Sequence, residues 1–301
     1  MIVVRVIGGL GNQLFQIAYA MSLAKAQRKK VYLDLSAYET YKIRSFSANN
    51  LILSQDILIL NNDDISKSEK VFYRFTQTIY RILQKFIRVI GFKEHFGKWP
   101  FKLLSRFGLL YNFDNFYYQT PKFKADKVYI YGYFQSEKYF EDVKNEVISY
   151  FQVKHEPDLL ESTYLSQINS VTSIAVSMRL GDDYKLSKEF NVCDSMYYKN
   201  AIFLLKGRFS NAKVFIFSDD IERAKYLLSD IEGLVFIEGC NDYQSLRLMY
   251  SCQHFIISNS SFSWWGAYLS QATDKTIIAP NKWYGYMKKE VSIYTKNMER
   301  L

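Results

Sequence analysis

Short apolar runs of strand length alternate with helical patterns in the second half of the sequence, and this rhythm restricts the fold more than any other feature. The runs predict strands at residues 173–178, 213–217, 234–237, 254–257 and 275–279, and the segments between them predict helices at 197–208, 221–228 and 242–251. Such alternation is typical of a parallel sheet with helices on both faces. In open sheets of this kind, ligands bind beyond the carboxyl ends of the strands.

The first half opens with a βαβ unit. A strand at 2–7 leads through a glycine turn into a helix that runs to about residue 29, and a second strand follows at 31–35. A further strand is predicted at 128–134, whereas residues 40–125 read as irregular or helical. We therefore predict two Rossmann-like domains, at 1–154 and 155–301, which the length of 301 residues allows.

Composition narrows the class of protein. With 49% hydrophobic and 23% charged residues, the chain is neither disordered nor fibrous. The three cysteines, Cys193, Cys240 and Cys252, are too few for a disulfide framework and fit small core residues in a reducing compartment. Scattered histidines and the lack of an Asp-x-Asp sequence predict no built-in metal site. The first apolar run is too short for a signal peptide, so we expect a cytoplasmic protein.

The net charge of +9 is concentrated in a basic segment at about 67–110. From Lys70 to Gly108 there are nine basic residues and one acid, Glu94. Apolar residues recur there at three- and four-residue steps, opposite a basic face, which predicts an amphipathic helix. The apolar positions are Phe72, Phe75, Ile79, Ile82, Leu83, Phe86, Ile87 and Ile90, and the opposite face carries Arg74, Gln77, Arg81, Lys85 and Arg88.

Two interpretations of this helix remain open. Its apolar face either packs on the core with the basic face in solvent, or the helix and the aromatic residues after it contact an anionic membrane surface. Nucleic-acid binding is disfavoured because no known nucleic-acid module surrounds the segment.

Four polar clusters follow predicted strands. The Gly8–Gln13 loop permits a tight turn whose amides could meet a phosphate or a sugar, or it is a plain strand-to-helix turn. Arg179 follows strand 173–178 and suits a phosphate, because its planar guanidinium donates paired hydrogen bonds; the alternative is a structural Arg–Asp pair.

The other two clusters are similarly ambiguous. In Ser218-Asp219-Asp220, one acid could cap the next helix while the other accepts from a guanine edge. The string Ser258–Ala267 could hold a second phosphate at a helix N-terminus, or it is a capped helix with a buried tryptophan pair. Four such clusters at strand ends together predict a nucleotide-type site.

Taken in order, GGLGNQLFQ, MRLGDDY, FIFSDD, SNSSFSWWGA and IIAPNKWY closely resemble the bacterial members of glycosyltransferase family 11, the α-1,2-fucosyltransferases. The resemblance implies the GT-B type of α/β fold, two Rossmann-like domains facing a cleft, with an acceptor-side N-terminal domain and a C-terminal GDP-sugar domain. It implies inverting transfer from GDP-β-L-fucose, without a metal, to the 2-OH of a β-galactoside in an O-antigen or capsule repeat.

The same resemblance assigns the site. Arg179 would bind the β-phosphate. Asp182 is our first choice for the catalytic base because it lies three residues after that arginine, and Asp183 and Glu189 are alternatives. The other donor-binding positions expected are Gly9, Gly11, Asn12, Gln13, Ser177, Ser218, Asp219, Asp220, Asn259, Ser260, Ser261 and Ser263. Ser177 stands where the family has His, and Leu180 where it has a second Arg, so the donor could be another GDP-6-deoxy-sugar such as GDP-colitose.

Two further expectations follow from the resemblance. The acceptor would be a lipid-linked oligosaccharide at the inner face of the cell membrane, which suits the basic segment. A membrane-peripheral, glycan-binding protein that keeps the fold without turnover is the alternative from a different functional class, and the departures at Ser177 and Leu180 motivate it.

Overall fold

The structure is a computed structural model in which residues 1–40, 44–61, 63–89, 97–114, 116–187, 189–285 and 291–301 are described. They divide into two compact units, Met1–Phe46 with Leu53–Tyr150, and Ser47–Ile52 with Phe151–Leu301. The short piece 47–52 belongs to the second unit because it pairs with the start of that unit's main segment, through an antiparallel bridge between Leu51 and Val153. The domain limits of 1–154 and 155–301 stay a prediction.

The first unit is built on a parallel sheet with the strand order β3-β2-β1-β5-β4. Its strands are β1 (Ile2–Arg5), β2 (Val31–Asp34), β3 (Ile57–Ile59), β4 (Leu109–Asn112) and β5 (Val128–Gly132). The βαβ prediction is thus confirmed. The prediction that residues 40–125 are irregular or helical is wrong at β3 and β4, which are short edge strands. They pair with β2 and β5, and this pairing depends on tertiary contacts that the local sequence does not reveal.

The helices of this unit are α1 (Leu10–Gln27), α2 (Ala37–Thr40), α3 (Lys67–Val89), α4 (Lys98–Ser105) and α5 (Lys144–Tyr150). Short 3₁₀ turns lie at Ala48–Asn50, which belongs to the second unit, and at Glu137–Tyr139 and Glu141–Val143. Helix α1 is buried along most of its length, including Leu14, Phe15 and Ile17, so it is a core helix rather than a surface one.

Helix α3 confirms the predicted helix, but its faces are not those of the core-packed interpretation. Phe72, Phe75, Ile82 and Phe86 are exposed by 53 to 62%. Gln77, which the sequence placed on the basic solvent face, is 7% exposed and lies on the side facing the sheet. Tyr73 and Tyr80 are buried on the same side, at 6% and 3% exposed. The core-packed interpretation of this helix is therefore wrong. The side chains of Ile87 and Arg88, and all of Ile90, lie outside the described part of the chain.

The second unit carries a parallel sheet with the strand order β8-β7-β6-β9-β10-β11. Its strands are β6 (Ser173–Met178), β7 (Lys213–Ser218), β8 (Leu234–Phe236), β9 (His254–Ile257), β10 (Ile277–Ala279) and β11 (Met298–Arg300). Counted from β6 this is the 3-2-1-4-5-6 order of a Rossmann sheet. Five of the strands were predicted from sequence; β11, a short and largely exposed edge strand, was not.

The helices of this unit are α6 (Leu159–Asn169), α7 (Asp182–Lys185), α8 (Ser195–Arg208), α9 (Ile221–Leu227), α10 (Asp242–Tyr250) and α11 (Ser261–Leu269). Tyr198, Ile202 and Leu205 of α8 pack with Ile174 and Val176 of β6 in one apolar core. The two Rossmann-like units confirm the predicted α/β fold class. A search of the described residues finds no helix long and apolar enough to cross a membrane.

Candidate functional site

The strand order of the second unit reverses between β6 and β9, and this point positions the candidate site. Strand β6 pairs with β7 on one side and with β9 on the other, so the chain leaves these central strands in opposite directions. Ligands of open α/β sheets bind at such a switch point, beyond the carboxyl ends of the strands. Ser177 pairs with Ile257 there, and Arg179 and the serines of segment 258–261 follow these two strands at the same edge.

Arg179 is held in place by an acid from the neighbouring strand. Its Nη1 donates to Asp219 Oδ2 at 2.5 Å, and the Asp219 carboxylate also accepts from the backbone N–H groups of Leu180, at 2.7 Å, and Gly181, at 3.2 Å. One carboxylate therefore fixes both the guanidinium and the turn that carries it. The structural Arg–Asp pair, which the sequence analysis gave as an alternative, is therefore present. It orients the Arg179 side chain, which remains 18% exposed.

Tyr184 supports Arg179 from another side, and the sequence analysis did not single it out. The guanidinium carbon of Arg179 lies 4.9 Å from the centre of the Tyr184 ring, within range of a cation–π contact. The Tyr184 hydroxyl donates to the Asn259 carbonyl at 3.0 Å, and the Tyr184 ring stacks on Phe190. Tyr184 thereby connects the Arg179 turn to the segment after β9. An aromatic residue five positions after an arginine gives no sequence signal of such a contact.

The side chain of Asn259 performs a structural role in the loop after β9. Its Nδ2 donates to the carbonyls of Phe190, at 2.9 Å, and Trp283, at 3.0 Å. Its Oδ1 accepts from Cys193 Sγ at 3.6 Å, and burial raises the pKa of that thiol to about 12, so the thiol stays protonated as a donor. Asn259 therefore holds three segments together, and a direct donor contact by its side chain stays a prediction.

A buried serine cluster lies between the ends of β6 and β9. Ser263 Oγ lies 2.7 Å from Ser177 Oγ and 2.9 Å from Ser258 Oγ, and all three residues are buried. Ser177 thus forms part of this hydroxyl network. Ser263 was expected to face a phosphate; in this structure its hydroxyl joins the two strand ends, and a phosphate contact by it remains untested.

The N-terminus of α11 differs from those of its neighbours. Side chains of Asp158, Asp194, Asp220 and Asn241 cap α6, α8, α9 and α10, whereas no side chain caps α11 at Ser260. The first turn of α11 contains no acid, and the backbone N–H groups at its start carry the positive end of the helix dipole. Ser260 and Ser261 lie at this end, directly after β9, where an anion would be favourable.

The two acids after β7 have different roles. Asp220 Oδ1 accepts from the backbone N–H of Arg223 at 3.1 Å and caps α9, which is the capping role that the sequence allowed for one of the pair. Asp219 binds Arg179 instead. Ser218 Oγ accepts from the Asp220 N–H, also at 3.1 Å. Arg223, which the sequence analysis missed, donates to the Leu180 carbonyl and adds a second guanidinium beside this turn.

Asp182 begins the short helix α7, and its side chain is exposed. It lies within three residues of Arg179 in sequence, on the turn that Asp219 fixes. The Asp183 side chain lies outside the described residues, and Glu189 is partly buried. Within the described ranges, no group of three or more His, Cys, Asp or Glu side chains is arranged to hold a metal ion.

The glycine loop of the first unit connects β1 to α1. Gly8 has φ of +81°, and a Cβ at this position would lie 2.8 Å from Asn12 Nδ2. Such a conformation and such a close approach favour glycine. Helix α1, like α11, has no side-chain cap and no acid in its first turn. Gly9 and Gly11 therefore belong to a second helix start that no side chain caps.

Two buried glutamine side chains hydrogen-bond to the backbone of this loop and its neighbours. Gln13 Nε2 donates to the carbonyls of Gly8, at 3.0 Å, and Ser45, at 2.8 Å, and lies 3.0 Å from the Tyr38 hydroxyl. Gln16 pairs with both the N–H and the carbonyl of Ile7. Both glutamines are fully buried. Gln13, predicted to bind the donor, positions the loop in this structure, and Asn12 Oδ1 accepts from Gln135 Nε2 at 2.8 Å.

A Rossmann sheet whose switch point carries a fixed guanidinium and an uncapped helix start is typical of a domain that binds a phosphate-bearing nucleotide. The family model described as Glycosyl transferase family 11 matches residues 1–299. The chain belongs to this family and is a glycosyltransferase.

Two Escherichia coli relatives extend this finding. An alpha-1,2-colitosyltransferase is 29% identical over 292 residues, covering 94% of this chain and 92% of the relative. The O-antigen biosynthesis glycosyltransferase WbnK is 26% identical over 304 residues, covering 92% of this chain and 93% of the relative.

Solved structures support the fold. NodZ alpha-1,6-fucosyltransferase soaked with GDP-fucose is similar with a TM-score of 0.54 at 12% identity, covering 93% of this chain and 94% of that one. Fucosyltransferase NodZ from Bradyrhizobium is similar with a TM-score of 0.54 at 13% identity, covering 88% and 92%. At this identity the likeness concerns the fold alone, and it agrees with the predicted GT-B type.

Proposed function

We propose that this glycosyltransferase moves a 6-deoxy-L-hexose from its GDP-activated β-form to the 2-OH of a β-galactoside, with inversion and without a metal ion. L-Fucose from GDP-β-L-fucose is the first candidate, and the acceptor is a unit of a bacterial surface glycan such as an O-antigen or capsule repeat. Family membership favours an enzyme over the binding-only alternative. The O-antigen glycosyltransferase among the relatives supports this acceptor class.

The observation that carries the proposal is the pairing of Arg179 with Asp219 at the switch point, next to the uncapped start of α11. Breaking the glycosidic bond of a GDP-sugar leaves negative charge on the β-phosphate. A prepositioned guanidinium and backbone N–H groups stabilise developing charge without reorganising, which is the largest contribution in many enzymes. Arg179, Ser260 and Ser261 are the proposed β-phosphate contacts.

The reaction balances as a single displacement. The acceptor oxygen attacks the anomeric carbon from the side opposite GDP, the new C–O bond forms as the bond to the β-phosphate oxygen breaks, and the electron pair leaves with GDP. The β-linked donor thereby gives an α-linked product. The acceptor proton passes to a base, for which the exposed Asp182 carboxylate is the proposed residue.

GDP-colitose is the second candidate donor, because the alpha-1,2-colitosyltransferase relative matches nearly the whole chain. Ser177 and Leu180, where the family has His and a second Arg, are the positions at which donor preference would differ. In this chain Ser177 joins the buried serine cluster, and Leu180 is buried in the apolar core. We assign the GDP-sugar to the second unit and the acceptor to the first.

The proposed contribution of the Gly8–Gln13 loop has separate support. Both α1 and α11 begin without a side-chain cap, so Gly9, Gly11 and Asn12 offer a helix start of the same kind as Ser260 and Ser261. Gln13 takes part by positioning the loop. These first-unit residues are proposed as donor contacts on the strength of the motif.

The test is a screen of GDP-fucose, GDP-colitose and GDP-mannose against β-galactoside acceptors in EDTA, with released GDP quantified and the product linkage determined by NMR. An α-1,2 linkage from either 6-deoxy donor supports the proposal and selects the sugar. Transfer only from GDP-mannose, a different linkage, or loss of transfer in EDTA would contradict it. GDP binding without transfer to any acceptor would favour the binding-only alternative.

A further inference from the structure

Helix α3 presents a stripe of large apolar side chains to solvent. The stripe follows three- and four-residue steps along one side of the helix, as expected for a single helical face. Its members are Phe72 (53% exposed), Phe75 (62%), Ile79 (41%), Ile82 (62%), Leu83 (49%) and Phe86 (62%). Single exposed apolar residues are ordinary on a protein surface, whereas a contiguous row of this size marks an interaction site.

The stripe is held outward by the opposite side of the same helix. Tyr80 packs edge-on against Tyr111 of β4, Thr76 Oγ1 lies 2.9 Å from the Tyr111 hydroxyl, and Gln77 accepts from Arg5 of β1. Rotating α3 to bury its phenylalanines would break these contacts. The exposure of the apolar stripe is therefore a consequence of how the helix is anchored.

Basic side chains run beside the stripe. Among the basic residues of α3 are Lys70, Arg74, Arg81 and Lys85. All of these except Lys70 are exposed. The acid of this helix is Glu69 at its beginning, and Lys127 of the same unit pairs with it at 2.5 Å. The surface thus combines exposed phenylalanine, isoleucine and leucine with the exposed basic side chains of Arg74, Arg81 and Lys85.

Helix α4, which follows in the same unit, has a similar character. Trp99 is 70% exposed and Leu103 is 39% exposed, while Phe101 is buried and anchors the helix. Phe107, two residues after the end of α4, is also 70% exposed. Lys98, Lys102 and Arg106 are exposed among them. Two consecutive helices therefore carry the same combination of exposed apolar and basic residues.

We propose that the exposed face of α3, extended by α4, docks on the surface of a membrane that contains anionic phospholipids. A helix with phenylalanine and leucine on one side and lysine and arginine on another lies in the plane of the membrane interface with its apolar side among the acyl chains. The basic side chains then meet lipid phosphates, and each adds to the attraction of a negatively charged leaflet.

The positive charge of this surface favours an anionic membrane over a second copy of the chain as the partner. Two copies meeting through this stripe would bring Arg74, Arg81 and Lys85 close to the same residues of the partner, at a cost from like charges. Anionic headgroups reverse the sign of that interaction. The occupant is therefore a lipid surface rather than another protein molecule of the same kind.

The test measures partition of the full chain onto vesicles of phosphatidylcholine mixed with phosphatidylglycerol by co-sedimentation at low salt. The apolar variant carries Phe72→Ser, Phe75→Ser, Ile82→Ser and Phe86→Ser, and the charge variant carries Arg74→Gln, Arg81→Gln and Lys85→Gln. Each should lower the partition coefficient at least about tenfold. Salt should weaken binding of the wild type more than binding of the charge variant, because screening acts on the charges that this variant lacks.

Matched controls use exposed residues of the second unit. Phe203→Ser with Leu159→Ser removes apolar side chains that are 82% and 87% exposed, and Lys154→Gln with Lys282→Gln removes exposed charges. Neither control should change vesicle binding. Circular dichroism and GDP binding establish that each variant is folded, and the readout does not depend on which sugar the enzyme transfers.

Four results would overturn the proposal. The first is that wild-type protein does not bind the anionic vesicles. The second is that the apolar and charge variants bind as strongly as wild type. The third is a concentration-dependent dimer that the apolar variant abolishes while vesicle binding stays absent. Binding to phosphatidylcholine alone at equal strength would likewise contradict the requirement for anionic lipid.

Discussion

Arg179 and Asp219 extend from adjacent parallel strands whose register pairs Met178 with Ser218, so the two side chains start from neighbouring positions at one sheet edge. The carboxylate uses Oδ2 for the guanidinium and for Gly181 N–H, and Oδ1 for Leu180 N–H. Three donors on one carboxylate leave the Arg179 turn with little freedom. This relationship makes Asp219 a positioning residue for the proposed phosphate contact.

Replacing Asp219 with Asn should therefore impair catalysis through Arg179. In one orientation the amide nitrogen would face Arg179 Nη1 and Gly181 N–H, and in the other it would face Leu180 N–H; an amide NH₂ cannot accept from any of these donors. We expect kcat/KM for the GDP-sugar to fall about 10- to 100-fold, since a displaced catalytic group costs rate even without its removal. Steady-state kinetics in EDTA provides the measurement.

The neighbouring variant Asp220→Asn is the matched control. Asparagine is as good an N-cap as aspartate, so α9 should keep its start and kcat/KM should stay within about twofold of wild type. Equal losses in both variants would show that the acids share one role, against the separate roles seen in the structure.

The buried serine cluster predicts a stability effect at Ser263. Ser263→Ala removes the hydroxyl that Ser177 and Ser258 share, leaving buried polar groups short of a partner, and should lower the free energy of unfolding by about 1 to 3 kcal/mol. Ser261→Ala, at a partly exposed position two residues earlier, should change it by less than about 0.5 kcal/mol. Urea unfolding of both variants distinguishes the two positions.

Gln13 offers a test of the glycine loop. Gln13→Leu removes the amide nitrogen that bonds to the Gly8 and Ser45 carbonyls in a fully buried position, and should cost about 1 to 3 kcal/mol of unfolding free energy. Gln55→Leu makes the same change at an exposed position of the same unit and should have little effect. If thermal and chemical unfolding of Gln13→Leu match wild type, the loop does not depend on this side chain.

Because of Glu69, the contribution of the start of α3 to stability should depend on pH. Hydrogen bonds from Lys127 and Ser66 lower the pKa of its carboxyl from 4.5 to about 2. Because the folded-state pKa is lowered, the stabilisation is complete above pH 4.5 and is lost as the pH falls toward 2. The stability advantage of wild type over Glu69→Gln should shrink across that window. Unfolding curves at several pH values measure it, and an advantage that is constant with pH would contradict the assignment.

How far the sequence predicts this fold depends on burial. The strands 173–178 and 254–257 match β6 and β9 because every residue of both is buried, which gives short segments that are mostly apolar. Strands β3 and β11 have three residues each and are partly exposed, so no local pattern distinguishes them from loops.

The sequence predicts that polar clusters follow the strands, but it does not reveal which side chains bond to one another there. Asp219 and Asp220 are identical neighbours, and only the path of the chain after β7 directs one to Arg179 and the other to the start of α9. In the same way, hydrogen bonds of Gln77 and Thr76 to the sheet determine which face of α3 is buried. A hydrophobicity pattern assigns these two polar residues to solvent.

The central claim is that Arg179 stabilises the departing diphosphate without a metal. Its most direct test is kcat of Arg179→Ala in EDTA, with the 6-deoxy donor identified by the screen and a β-galactoside acceptor. We predict that kcat falls about 10²- to 10³-fold, or roughly 3 to 4 kcal/mol, and that Arg179→Lys restores only part of it, because an ammonium lacks the planar pair of donors. Near-wild-type kcat in Arg179→Ala would contradict the account.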